Sequence, residues 1–238
     1  MSLFRCQGIV LRTVKLGEAD RIVTICTKER GKVRAVAKGV RKTKSRFGGR
    51  LEPVSHVALQ CYEGRQLDTV TQVETIDAFR NVRENLDRLR RAVSMLEAVD
   101  AVSQEAEANP RLYKMLAGAL SSLEKSDSPL VVAAFFWKLL VLEGVQPLLN
   151  QCAICANTED LVAFSLPEGG VLCTSCRRGL PISPGALDLL RRMLGGDLGR
   201  VLGEEVGPAS FEVEHLADES LEHHLERRLR SRRVLDRA

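Results

Sequence analysis

The chain has 238 residues, 45% hydrophobic and 28% charged, with a formal charge of +4. That balance excludes a disordered polyelectrolyte and suits one large globular domain or two ordinary ones. The charge is lopsided: residues 1–80 carry 16 Lys/Arg against 8 Asp/Glu, the remainder 19 against 23, so a basic front that suits a polyanion precedes a mildly acidic back.

Aromatics are only 4%, so the core must come mainly from Leu, Val, Ile and Ala. The most apolar run, Pro129–Val141, is interrupted by Lys138 and falls short of the ~20 residues of a membrane span. The start, MSLFRCQGIVLR, lacks the pattern of a secretory signal. Seven cysteines without such a signal point to a reducing compartment, where they act as ligands, nucleophiles or core residues.

Residues 4–79 read as strands. Cys6–Val14 and Arg21–Thr27 are rich in Val, Ile and Thr and are separated by a polar turn at residues 15–20. Gly31 lies in a second turn, and Lys32–Lys38 follows. There Val33, Ala35 and Ala37 alternate with Lys32, Arg34 and Lys38, while Val36 departs from the pattern. Arg41–Arg50 is a polar loop, and Val54–Tyr62 and Leu67–Ile76 are the fourth and fifth strands. Five short strands predict a small closed barrel. An OB-fold leads; an SH3-like barrel shares the pattern.

From about Asn81 the period becomes helical. Leu86, Leu89, Val93, Leu96 and Val99 recur at spacings of three and four. Asn109–Pro110 opens a helix to about Leu123, and Ser128–Pro129 opens another over Leu130–Leu142, apolar almost all round. A short helix from Ser183–Pro184 to Met193, a glycine-rich loop over 195–208 and a last helix over Ala217–Leu235 complete the chain. The predicted class is α+β: a barrel over 1–80, then an all-α domain over 81–238 with a cysteine-bearing insert at about 150–180.

That insert carries the sharpest motif. Cys152 and Cys155 form one CxxC hook, Cys173 and Cys176 a second, 17 residues apart. Two hooks at this separation match a zinc ribbon or knuckle, in which four thiolates close a tetrahedron around one structural Zn²⁺. Gly169–Gly170 would form the hairpin tip, and Arg177 and Arg178 would offset thiolate charge. A redox dithiol needs one CxxC in a thioredoxin-like context, and a zinc deaminase needs H-x-E before a P-C-x-x-C; neither pattern is present. Cys6, Cys26 and Cys61 fall in strands and read as core residues.

Between Lys28 and Arg50 there are ten basic residues and one acid, Glu29. Lys32, Arg34, Lys38, Arg41, Lys42, Lys44, Arg46 and Arg50 are the candidate DNA-binding residues, since strands two and three and their loops form the oligonucleotide groove of such barrels. Phe47 either stacks on a base or packs under the loop. Arg227, Arg228, Arg230, Arg232 and Arg233 are candidates for a second basic surface. The sequence has no GxxxxGK[ST] and no recognisable catalytic carboxylate or His cluster, so no enzyme is predicted. A zinc-ribbon scaffold in an RNA or transcription complex is the rival reading.

The segment Gly17–Pro53 resembles the RecO family of recombination mediators and DNA repair proteins. The resemblance is carried by G-E-x-D-R at Gly17–Arg21, A-K-G at Ala37–Gly39, the basic loop and L-E-P at Leu51–Pro53. It implies an N-terminal OB-fold, a helical C-terminal domain and a zinc site. It also implies binding of single- and double-stranded DNA, annealing of complementary strands, and loading of RecA with RecR, and in some bacteria RecF. Single-strand-binding protein would contribute an acidic, apolar-tipped tail, suited to an apolar pocket rimmed by Arg or Lys. The corresponding location is cytoplasmic, on the nucleoid.

Overall fold

The computed structural model describes residues 2–233. Five strands lie at the front: β1 (Leu3–Leu16), β2 (Asp20–Thr27), β3 (Gly31–Ala37), β4 (His56–Tyr62) and β5 (Asp68–Asp77). β1 pairs antiparallel with β2 along one half and with β4 along the other. A register shift between Val10 and Arg12 bends it, as a bulge does. β3 and β5 pair in parallel, Ala35 opposite Asp68, and close the barrel in the order β1-β2-β3-β5-β4. This is the OB-fold.

The alternation on β3 holds: Val33, Ala35 and Ala37 point inward, and Val36 lies on the outer face with Lys32 and Arg34. The alanines contribute little volume to the barrel cluster. Phe47 and Leu51, each 1% exposed, belong to the same cluster.

Three helices follow: α1 (Arg80–Glu84), α2 (Leu86–Val102) and α3 (Pro110–Lys125). Asn85 caps α2 through the N–H groups of Asp87 and Arg88, and Asn109 caps α3 through that of Leu112, as short polar side chains do at helix starts. Strands give way to helices at residue 80. By packing, residues 2–126, with Arg230–Arg233, form one compact unit, and Asp127–Leu229 form the second. In the first unit, α2 and α3 bond to the barrel. Asp100 takes Arg12 at 2.6 Å and Lys32 at 3.3 Å, and Tyr113 Oη lies 2.6 Å from His56 Nε2.

The second unit is built on α4 (Leu130–Leu142), of which ten residues are buried. Around it stand a three-stranded sheet, β6 (Leu161–Ser165), β7 (Gly170–Cys173) and β8 (Leu180–Pro181), and the helices α5 (Pro184–Leu194), α6 (Leu198–Val201) and α7 (Pro208–Leu225). The glycine-rich stretch over 195–208 therefore contains a helical turn, seated by buried Val201.

The expected last helix over Ala217–Leu235 is two elements. Glu226 turns to φ 51° and ends α7. The Leu229 N–H then bonds the Glu222 carboxylate at 2.8 Å, and Leu229 is fully buried. α8 (Arg230–Arg233) belongs to the first unit, where Glu97 of α2 accepts the N–H groups of Arg230 and Ser231, both at 2.9 Å.

Candidate nucleic-acid interface and candidate metal centre

The segment joining β3 to β4 is a run of turns that includes one 3-10 turn, Gly48–Leu51. Its cations Lys38, Arg41, Lys42, Lys44, Arg46 and Arg50 are all exposed, and no acid lies among them between residues 38 and 50. Phe47 packs beneath the loop as an anchor, which removes it as a stacking platform. The Arg46 guanidinium lies 4.8 Å from its ring centroid.

Both roots of the loop are clamped to the start of β2 and the turn before it. Asp20 Oδ1 accepts the N–H of Gly39 at 2.7 Å, and the Arg41 N–H bonds the Ala19 carbonyl at 2.9 Å. At the far root, Arg21 pairs with Glu52 at 2.6 Å. Arg83 of α1 reinforces this point through the Pro53 carbonyl at 2.8 Å and Ser55 Oγ at 2.6 Å. Gly39 itself has φ 69°, a conformation open to glycine. The carboxylate of Asp20 therefore acts as a loop fastener.

Lys32 and Arg34 behave differently. Lys32 Nζ is held by the Asp100 carbonyl at 2.7 Å and carboxylate at 3.3 Å, with only 16% of its side chain exposed. Arg34 pairs with Glu105 at 3.4 Å. These two lie on the outer face of β3 against the chain's own acids, and the six loop cations lie beyond its end.

The four cysteines of the insert converge. Their sulfurs lie within 4.8 Å of one another, with Cys155 and Cys173 at 3.6 Å. A Zn–S distance of ~2.3 Å places tetrahedral sulfurs ~3.8 Å apart, so the quartet fits a four-thiolate ion. The first hook is a tight turn in which the Ala156 N–H returns to the Cys152 carbonyl at 2.9 Å, with Ala156 at φ 58°. The second leaves β7 through a 3-10 turn, Thr174–Cys176.

Burial alone would raise the Cys152 thiol. Backbone hydrogen bonds from Cys155, Cys173 and Ile154 outweigh it and pull the thiol down to about 6. Cys176 is pushed up to about 12, first by its hydrogen bond with Cys155. The free thiols thus share protons that a cation would displace. Gly169 and Gly170 do sit at the tip of the β6–β7 hairpin, where Gly170 opposes Ser165. Arg178 is turned onto Glu168. In the barrel, burial pushes Cys6, Cys26 and Cys61 up to about 12, which leaves them as inert core thiols.

Two family models cover nearly the whole chain. Recombination protein O N terminal matches residues 1–79 and Recombination protein O C terminal matches residues 83–233. A protein of Frankia casuarinae named DNA repair protein RecO is 41% identical over 244 residues, spanning 100% of both chains. One of the same name from Rubrobacter xylanophilus is 43% identical over 202 residues, 81% of each. The chain belongs to the RecO family.

It is thus a DNA repair protein of that family. The family-bearing motifs Gly17–Arg21, Ala37–Gly39 and Leu51–Pro53, far apart in the RecO-type sequence, are the parts of one clamp around the basic loop. Sequence reasoning missed Arg83, Asp100 and Glu105, whose partners lie 28 to 88 residues away. The RecO-type helical unit also holds a pocket of about 330 Å³, lined by Trp137, Phe164, Pro167, Ser220, His223 and His224 among others. Trp137 Nε1 and Ser220 Oγ are buried there without a hydrogen-bond partner among the described residues. Arg227, Arg228 and Arg230 are exposed beyond α7, and the side chains of Arg232 and Arg233 lie outside the described residues. Among the described residues no helix is long and apolar enough to cross a membrane.

Proposed function

We propose that the chain is a recombination mediator that binds single- and double-stranded DNA through the loop at residues 38–50 and anneals complementary strands. With RecR, and where present RecF, it helps to load RecA onto DNA coated with single-strand-binding protein. The observation that supports this most directly is the clamped loop: six exposed cations, no acid among them, on a buried Phe47–Leu51 anchor. Two strands repel through their phosphates. A cationic loop that neutralises phosphates and releases their counterions lowers that repulsion without ATP. Buried Phe47 removes the loop's only aromatic, so binding is dominated by charge and tolerant of sequence.

The metal in this reading is one Zn²⁺ held by Cys152, Cys155, Cys173 and Cys176. A closed four-thiolate site leaves no position for water or substrate and braces the scaffold. The tail of single-strand-binding protein fits the Trp137 pocket: its apolar tip meets Phe164 and Pro167, and its carboxylate can accept from Trp137 Nε1 and Ser220 Oγ. The same reading gives a cytoplasmic, nucleoid-associated location.

The test is pairing of two complementary oligonucleotides coated with single-strand-binding protein, with and without RecR. Faster pairing in the presence of the chain supports the proposal. A chain that binds DNA but leaves the pairing rate at the protein-free value refutes annealing and favours a scaffold role.

A further inference from the structure

The cysteine quartet is unevenly covered. Cys152 and Cys173 are 1% and 2% exposed and Cys176 is half-buried, whereas Cys155 is exposed. The Cys155 sulfur lies 3.6 Å from that of Cys173, on the other hook. We infer that Cys155 is an oxidation site: a hydroperoxide oxidises its thiolate, and Cys173 resolves the product as a disulfide that joins the two hooks and opens the metal site. This rests on the metal reading above and goes beyond it, since it gives a site built to brace the scaffold a chemical way to let go.

Such a reaction needs a thiolate, a path for the oxidant and a second thiolate within reach. A coordinated thiol is held deprotonated, which supplies the first. Exposure of Cys155 supplies the path; the three cysteines outside the quartet are buried in the barrel. In the first step the Cys155 thiolate attacks one peroxide oxygen and the O–O bond breaks. The departing alkoxide (hydroxide from hydrogen peroxide) takes up a proton, and Cys155 is left as a sulfenic acid. The Cys173 thiolate then attacks the Cys155 sulfur, forming the S–S bond and expelling hydroxide, which is protonated to water. The two thiolates give up two electrons and the peroxide receives them. From 3.6 Å the two sulfurs must approach by only about 1.5 Å. The backbone holds both hooks in place meanwhile: the Ala153 N–H bonds the Val171 carbonyl at 2.9 Å, and the Thr174 N–H bonds the Asp160 carbonyl at 3.0 Å. Two thiolates remain, too few to close a tetrahedron.

The test uses the full zinc-loaded chain and hydrogen peroxide. A colorimetric chelator follows zinc release, dimedone traps the sulfenic acid, and mass spectrometry of non-reduced peptides locates the disulfide. Cys155 should carry the first dimedone label and become linked to Cys173, while about one zinc leaves each chain. A dithiol reductant with added zinc should reverse the change. Cys155→Ser should slow zinc release at least about tenfold, because the remaining sulfurs are covered. Should that variant lose its zinc on purification, the label and the linkage in the unaltered chain decide alone. A first label on Cys152, Cys173 or Cys176, linkage of Cys155 to another cysteine, or zinc release with no disulfide overturns the assignment. So does zinc that stays bound while the same peroxide oxidises free cysteine. Failure of the metal reading is separable: the chain then carries no zinc as purified, and the label and the linkage still report on Cys155 and Cys173.

Discussion

Replacing Arg41, Lys42, Lys44 and Arg46 together with Ala probes the loop most directly. All four side chains are exposed, and Phe47 and Leu51, which anchor the loop, are untouched. The variant should therefore melt within about 2 °C of the parent, as surface changes away from packing do. If each cation neutralises one phosphate, the slope of log K against log salt falls by about 2.8 on single strands and about 3.6 on duplex. Between 50 and 200 mM salt the single-strand difference amounts to about fiftyfold in affinity. Fluorescence anisotropy at five or six salt concentrations measures it. As a comparator, Arg34→Ala removes a side chain already paired with Glu105, and its slope should move by less than about 0.7. A quadruple variant whose slope stays within about 0.5 of the parent would refute the loop as the phosphate contact.

Purified protein should contain about one zinc per chain by plasma emission, and Cys155→Ser with Cys173→Ser should bring this close to zero and lower the melting temperature of the second unit. Gly31 has φ 65°, and a Cβ there would lie 1.9 Å from the Glu107 carbonyl oxygen; Gly31→Ala should cost about 2–4 kcal/mol in denaturant unfolding, beyond an ordinary surface change. Burial holds His56 below the usual imidazole range. The unfolded chain therefore takes up a proton below about pH 6.5 that the folded chain refuses. Stability should be full above that pH and fall with acidification until folded His56 itself titrates; His56→Gln should flatten that part of the curve.

How much of this was legible in the sequence depends on the range of each interaction. The barrel strands follow from period-two alternation, and two of the helix starts from Asn109 and Ser183, which cap through side chains to nearby N–H groups. The cysteine quartet is readable because both hooks are local and only their meeting is long-range. The charge run was readable as a run, but its division was not. Lys32 and Arg34 differ from Lys42 and Lys44 only because Asp100 and Glu105 arrive from α2 and the segment after it. Phe47 was ambiguous for a related reason: it is buried in a barrel cluster assembled from residues far along the chain. The third strand that joins the insert's hairpin escaped notice because β8 has two residues, too few for any period. The break at Glu226 is set by the burial of Leu229, a tertiary effect that overrides helical propensity.

The return of α8 to the first unit has a practical corollary for dissecting the molecule. A fragment cut after Ser126 would retain the Glu97 carboxylate but strip away the two backbone amides it receives. Separating the halves cleanly calls for an excision with rejoined ends, not a simple truncation; the polypeptide is laid out like an insertion of one module into another.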